Sequence, residues 1–496
     1  MKLVIKGDVS DFYLQTLCLL FYPGSKFSEK ENAADDGITV SASMTEDGTG
    51  CFAEIEISDS SGVYKGSSHV DRSDGLSRPE MIKKIALGRA FLEAGERATG
   101  IRPPWGLLTG VRPSKLARWS IESGLDESEA ADALVRDYSV TREKAKLAAS
   151  VASAELSLLK RDLYDKCSVY IAIPFCPTRC SYCSFVSYTS ERLLSLIPEY
   201  LEVLMGEIKR TSRLIASLGK KVSTVYIGGG TPTTLDSEQL TRLLSCVAES
   251  FDTRSLDEFT LEAGRPDTID REKARAAYSC GVSRVSVNTQ TLNADVLQRI
   301  GRRHTPDDFF RAYSDVRCAG IENVNVDLIA GLPGESYDSF VSSLSGIEPL
   351  RPENITVHAF CVKKSAELKS ENVYAPKSRD AEKSVSYAAD HLGERGYIPY
   401  YMYRQKNAVS NLENVGYSLP GHEGLYNVLM MEEVQSIFAI GASAVTKLVR
   451  WEDGNCVIKR TAENKYPFEY LRDKASADSR ARREKETIDF FTQNTN

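Results

Sequence analysis

Between residues 168 and 360 the chain alternates short apolar strands with amphipathic helices, and this alternation constrains its fold more than any other feature. Strands are predicted at 168–173, 224–227, 258–263, 284–289, 323–329 and 354–360. Helices are predicted between them, at 200–218, 237–250, 270–280, 294–300 with 307–319, and 337–347. Parallel neighbours need a crossover connection, so strand–helix repeats imply a parallel sheet. Six repeats fall short of the eight that close a barrel. The expected fold is α/β, a partial (β/α)6 barrel whose lateral opening admits a bulky substrate.

The flanks follow other patterns. Residues 1–110 are expected to form an N-terminal α+β domain, with strands at 2–6, 38–44, 51–57 and 63–70 and helices at 12–21 and 78–99. Residues 111–164 form a helical bridge, with helices over 113–124, 126–138 and 141–159. The basic residues Arg102, Arg112, Lys115 and Arg118 could bind acidic groups, but are more simply read as a solvated face. The barrel occupies 165–375. A C-terminal α+β domain over 376–496 holds a helix at 378–395, then Tyr397, Tyr400, Tyr401 and Tyr403 on or beside a strand. A loop at 416–426 and a charged terminal helix complete it.

A net charge of −7 gives no electrostatic case for nucleic acid or an anionic membrane. No run approaches the ~20 apolar residues of a membrane span, and the N-terminus lacks the apolar core of a signal peptide. Eleven cysteines without a pairing pattern suit a reducing compartment, so a cytoplasmic enzyme is expected.

Three of those cysteines, Cys176, Cys180 and Cys183, lie within eight residues, directly after the first barrel strand. Iron–sulfur cubanes are usually held by four thiolates, so three leave one iron open. An open position marks a catalytic metal site rather than a closed structural one. Zinc would require a second Cys or His pair. The remaining cysteines are scattered singly and read as small buried hydrophobes. Cys167, the nearest, belongs to a strand.

Other unusual residues also gather at strand ends, where active sites of parallel barrels form. Gly228-Gly229-Gly230-Thr231-Pro232 follows the second strand and lets a ligand approach the backbone closely. Glu262 ends the third strand and Gln290 the fourth, while Arg302 and Arg303 follow the next helix. Asp327 sits in an apolar run, where a carboxylate needs partners, supplied by structural bonds or by a ligand. His358, His391 and His422 stand alone and read as structural.

Together these residues resemble the radical S-adenosylmethionine superfamily. Tyr170 to Cys176, Gly228 to Thr233, Val287 to Gln290 and Val326 to Gly334 look like the oxygen-independent coproporphyrinogen III oxidase family, nearest its coproporphyrinogen dehydrogenase-like branch with an extra N-terminal domain. The resemblance implies a [4Fe-4S] cluster on Cys176, Cys180 and Cys183, with S-adenosylmethionine chelating the open iron. By it Tyr170 and Tyr182 flank the cofactor, and Gly229, Gly230 and Thr231 hold its methionine end. Glu262, Gln290, Arg302 and Asp327 match family positions that contact it. The implied reaction starts with hydrogen abstraction from a propionate by a 5′-deoxyadenosyl radical. Loss of an electron and CO2 then leaves a vinyl group. Two such conversions turn coproporphyrinogen III into protoporphyrinogen IX.

The resemblance also implies a tetrapyrrole substrate, whose carboxylates arginines would pair, and an electron donor such as flavodoxin or ferredoxin. Two positions depart from the family pattern: Ala172 replaces a His and Phe185 a Cys. A haem-chaperone branch carries a His-Asn-x-x-Tyr-Trp motif, which the run Glu413-Asn414-Val415-Gly416-Tyr417-Ser418 lacks. A haem carrier and a radical enzyme acting on another tetrapyrrole are the alternatives.

Overall fold

The computed structural model of the chain describes residues 1–27, 37–72, 79–110, 112–183, 187–361, 379–405, 408–452 and 455–492. Met1–Ser153, Ser370–Glu382 and Met402–Glu413 form one compact unit. Ala154–Lys369, Lys383–Tyr401 and Asn414–Asn496 form the other.

In the first unit, strand Lys2–Lys6 pairs parallel with Thr39–Glu46, and Gly50–Asp59 and Gly62–Asp71 follow antiparallel. Burial alternates along Gly50–Asp59, as a sheet packed on one face requires. Helices Asp11–Phe21 and Pro79–Thr99 supply the opposing apolar surface, with Leu14, Leu17, Ile55, Ile57 and Phe91 in the common core. Ser10 caps the first helix by accepting the N–H of Tyr13.

The second unit holds the predicted parallel strands: β1 (Lys166–Ile173), β2 (Lys221–Gly229), β3 (Glu258–Ala263), β4 (Arg284–Val287), β5 (Asn323–Ala330) and β6 (Asn354–Ala359). Each pairs parallel with the next in chain order. The crossovers include helices Ile197–Ser217, Ser237–Ser250, Arg271–Ser279, Pro306–Cys318 and Tyr337–Ile347. Local chemistry sets where they start. Asp236 with Gln239, and Thr305 with Asp308, form capping boxes. The result is a partial α/β barrel.

Five later strands extend the same sheet: β7 (Ile398–Arg404), β8 (Glu413–Ser418), β9 (Ser436–Ile440), β10 (Val445–Glu452) and β11 (Asn455–Ala462). The order is β7-β8-β6-β5-β4-β3-β2-β1-β9-β10-β11. β8 runs antiparallel to β6, and β9 parallel to β1. Strands from the C-terminal segment therefore occupy both barrel edges. The loop expected over 416–426 is corrected: its first residues belong to β8, and a helix, Leu425–Glu432, starts before its end. All of β8 is buried, so it shows none of the alternation that betrays a one-sided strand.

A buried ion pair lies where β3 and β4 begin. Arg284 Nε sits 3.3 Å from Glu258 Oε2. Arg284 also donates to His422 O at 2.8 Å, and Glu258 accepts the N–H of Leu425 at 2.8 Å. The pair thus ties the strand starts to residues 422–425.

Candidate active site at the strand ends

β1 ends at Ile173, and the cysteine loop begins there. Cys176 N–H donates to Tyr188 O at 3.1 Å, and Tyr188 N–H to Pro174 O at 2.9 Å, which closes the loop at its base. The glycine run braces it from β2. Gly230 N–H donates to Ile173 O at 2.7 Å, and Thr231 N–H to Phe175 O at 2.8 Å. A Cβ on Gly230 would lie 2.6 Å from Phe175 O, so only glycine permits this approach. The amides of Gly230 and Thr231 are thus spent on the cysteine loop.

Side chains converge on the sulfurs. Thr231 Oγ1 lies 3.3 Å from Cys176 Sγ. Arg265, which the sequence reading missed, donates to Cys180 Sγ at 3.0 Å and to Thr178 O at 2.6 Å. Its second terminal nitrogen is buried without a hydrogen-bond partner. Arg302 donates to the carbonyls of Gly264 and Asn288 and reaches Tyr182 and Cys180. Tyr182 packs edge-on against Phe360. Burial pushes the Cys176 thiol up, against the pull of Thr231 and Arg265. Cys167 is buried in β1, where burial raises its thiol to about 12 and keeps it protonated.

The inner face carries a second group. Registered residues of parallel strands share a face, and Tyr170 is in register with Tyr226, Glu262 with Ser286, and Asp327 with Thr356. Tyr226 stacks on Tyr426 at 4.5 Å and on Tyr170 at 6.0 Å. Tyr226 donates to Glu262 Oε1 at 2.5 Å. Burial, with Asp327 adding to it, raises the Glu262 carboxyl to about 7, against hydrogen bonds from Tyr226 and the Gly229 amide. Asp327 behaves oppositely. Burial pushes it up, but His358, Asn325 and Thr356 outweigh burial and hold it below the usual carboxylate range. Asn325 Nδ2 donates to Asp327 Oδ1 at 2.7 Å, and His358 Nε2 lies 3.5 Å from Oδ2. His358 is thus a member of this group.

Gln290 lies three residues beyond β4. Its φ is +73°, strained for a residue with a side chain, and it is 6% exposed. Its N–H donates to Asp327 O and its carbonyl accepts the N–H of Ile329, while its side-chain Oε1 is buried without a partner. An orphaned buried oxygen on strained backbone is a mark of a ligand site. Of the two departures from the family pattern, Ala172 is buried in β1 against Ala439 and Ala444. Phe185 lies outside the described residues.

Tyr226, Tyr426 and Arg265 were detectable only through geometry. Tyr226 lies two residues before Gly228, so it shares that residue's face once β2 is placed. Tyr426 and Arg265 reach the site by tertiary packing alone. Among the described residues, no three His, Cys, Asp or Glu side chains gather around one ion-sized point. A cubane spreads its thiolates over several irons and needs no such point.

The model of the radical SAM superfamily matches residues 170–345. The oxygen-independent coproporphyrinogen-III oxidase-like protein HemZ of Bacillus subtilis (strain 168) is 36% identical over 475 residues, covering 92% of each chain. The heme chaperone HemW of Lactococcus lactis subsp. lactis (strain IL1403) is 31% identical over 56% of this chain and 68% of its own. Among solved structures, coproporphyrinogen III oxidase (HemN) from Escherichia coli, a radical SAM enzyme, matches with a TM-score of 0.50. At 22% identity over 64% of this chain and 71% of that one, it bears on the fold. No described helix is long and apolar enough to cross a membrane. The radical SAM family implies a [4Fe-4S] cluster and S-adenosylmethionine. The loop fits the first, through thiols met by Arg265 and Thr231, and the orphaned Gln290 oxygen fits a polar ligand beside it. Similarity over nine-tenths of both chains, on a barrel that carries its cysteine loop at the strand ends, makes this chain a member of the radical SAM superfamily and of its oxygen-independent coproporphyrinogen-III oxidase-like family.

Proposed function

We propose that the protein is a cytoplasmic radical enzyme that converts two propionates of coproporphyrinogen III to vinyl groups, giving protoporphyrinogen IX. The extended similarity to an oxidase-like relative carries this reading, and the strand-end geometry supports it. When bound, the cluster and S-adenosylmethionine supply a 5′-deoxyadenosyl radical by one-electron cleavage of a sulfonium bond. Cys176, Cys180 and Cys183 hold the cluster. Arg265 stabilises thiolate charge on Cys180 and orients its sulfur. Glycines 229 and 230 with Thr231 fix the loop against β2 and set where the cofactor's methionine end lies. Tyr170 and Tyr182 bound that space, and Arg302 fixes Tyr182. Asp327, held ionised, offers an acceptor to a cationic group. Glu262, titrating near neutrality, both donates and accepts. Gln290 turns its free Oε1 to a donor on the same ligand.

Anaerobic reconstitution tests the reading. The loaded protein, given S-adenosylmethionine, a flavodoxin- or dithionite-type reductant and coproporphyrinogen III, is expected to form 5′-deoxyadenosine together with a product lighter by two formic acid equivalents. Stoichiometric haem binding without loss of carboxyl groups would instead identify a haem carrier. Formation of 5′-deoxyadenosine with the tetrapyrrole unchanged would point to a different substrate.

A further inference from the structure

The first unit contains a cleft of about 550 Å³ that the proposed reaction does not use. That volume lies within the range of small-molecule sites. Phe12, Leu19, Phe27, Ile101 and Pro103 line it. Phe12 is 72% exposed and Ile101 50%, so the rim offers large apolar side chains to solvent.

Arg404 lines the same cleft and is only 7% exposed. Its guanidinium lies 5.6 Å above the Trp105 ring. Among the described residues its hydrogen-bond partners are carbonyl oxygens, of Leu108 and Asn411, and its Nε is buried with none. The nearby carboxylates are committed elsewhere. Glu413 lies 2.7 Å from Lys144 Nζ and accepts Trp105 Nε1–H at 2.8 Å. Glu382 accepts from Arg379 at 2.9 Å. Burial accordingly pulls the Arg404 guanidinium down to about 10, against the pull of Glu413. A buried cation without a counter-ion is costly, and guanidinium geometry suits a carboxylate.

We propose that this cleft is a second ligand site, taking an apolar small molecule that carries a carboxylate, with the carboxylate on Arg404 and the apolar body against Phe12, Leu19 and Ile101. Two sources share that chemistry, a tetrapyrrole acid and a fatty acid. The full chain is titrated by calorimetry with coproporphyrin III, with palmitate, and with the methyl ester of each. At least one acid is expected to bind, with its ester about tenfold weaker or more, as loss of a charge-assisted bond requires. Binding of coproporphyrin III assigns a tetrapyrrole, and binding of palmitate a fatty acid. Arg404→Gln and Phe12→Ser are each expected to weaken the acid about threefold or more. Arg404→Lys, which keeps the charge, is expected to lose less than Arg404→Gln. Should Arg404→Gln fail to fold, Phe12→Ser decides, because it changes an exposed position. In all variants the reconstituted protein is expected to form 5′-deoxyadenosine at the wild-type rate, so the cleft and the barrel chemistry stand or fall separately. Absence of binding by both acids, equal affinity of acid and ester, or wild-type affinity in Phe12→Ser would overturn the assignment.

Discussion

Two carboxyl groups at the barrel's strand ends are driven in opposite directions by their neighbours. Glu262 is pushed up to about 7 by burial, while His358 and two hydrogen-bond donors keep Asp327 low. The folded chain holds the Glu262 proton up to about pH 7, whereas the unfolded chain releases it near 4.5. Between these values the folded state binds more protons, so the cluster-free protein is expected to lose stability as pH rises through that interval. Glu262→Gln should remove this part of the slope, as urea unfolding at pH 5 and pH 8 would register. An unchanged pH profile would mean that Glu262 is already ionised at pH 5. Arg265 carries another expectation at this scale. Arg265→Gln removes the charged donor to Cys180 Sγ, and anaerobic reconstitution should then load less iron per chain, with the fold retained by circular dichroism. Iron loading equal to wild type would restrict Arg265 to its bond with Thr178.

The elements that build the site were mostly legible in the chain. Strands such as β3 and helices such as Tyr337–Ile347 show themselves by period, caps and flanking turns. Glu262 and Gln290 could be picked out because polar residues stand at the ends of apolar strands, and Asp327 because a carboxylate interrupts an apolar run. Arg265 and Tyr426 could not, because only tertiary packing brings them to the site. β8 escaped notice for a related reason: burial on every side erases periodicity. The glycine run also has a part that the sequence does not display. The amides of Gly230 and Thr231 hold the cysteine loop, so Gly230→Ala should act on that loop. A methyl group 2.6 Å from Phe175 O has nowhere to go without moving the loop. The expected cost is about 1–3 kcal/mol of stability, with reduced cluster loading. Thermal unfolding and iron analysis read the two effects, and a variant with normal stability and loading would show that the loop yields freely.

At the scale of the whole molecule, the buried Glu258–Arg284 pair connects the starts of two barrel strands to a segment more than a hundred residues away in sequence. Glu258→Ala leaves the guanidinium buried and unpaired, and should cost about 3–5 kcal/mol in urea unfolding. A loss below about 1 kcal/mol would mean that Asn354 and the carbonyls of His422 and Glu423 suffice for Arg284. The sheet order has its own consequence for biosynthesis. β1 and β6 bound the six-strand core, and each finds its outer neighbour only in residues beyond 412. While the ribosome is still making that last stretch, the nascent chain carries two open sheet edges, each able to recruit another strand. A ribosome stalled near residue 400 would therefore hold a partial product with both sheet edges uncovered, a form open to mispairing until the last strands arrive.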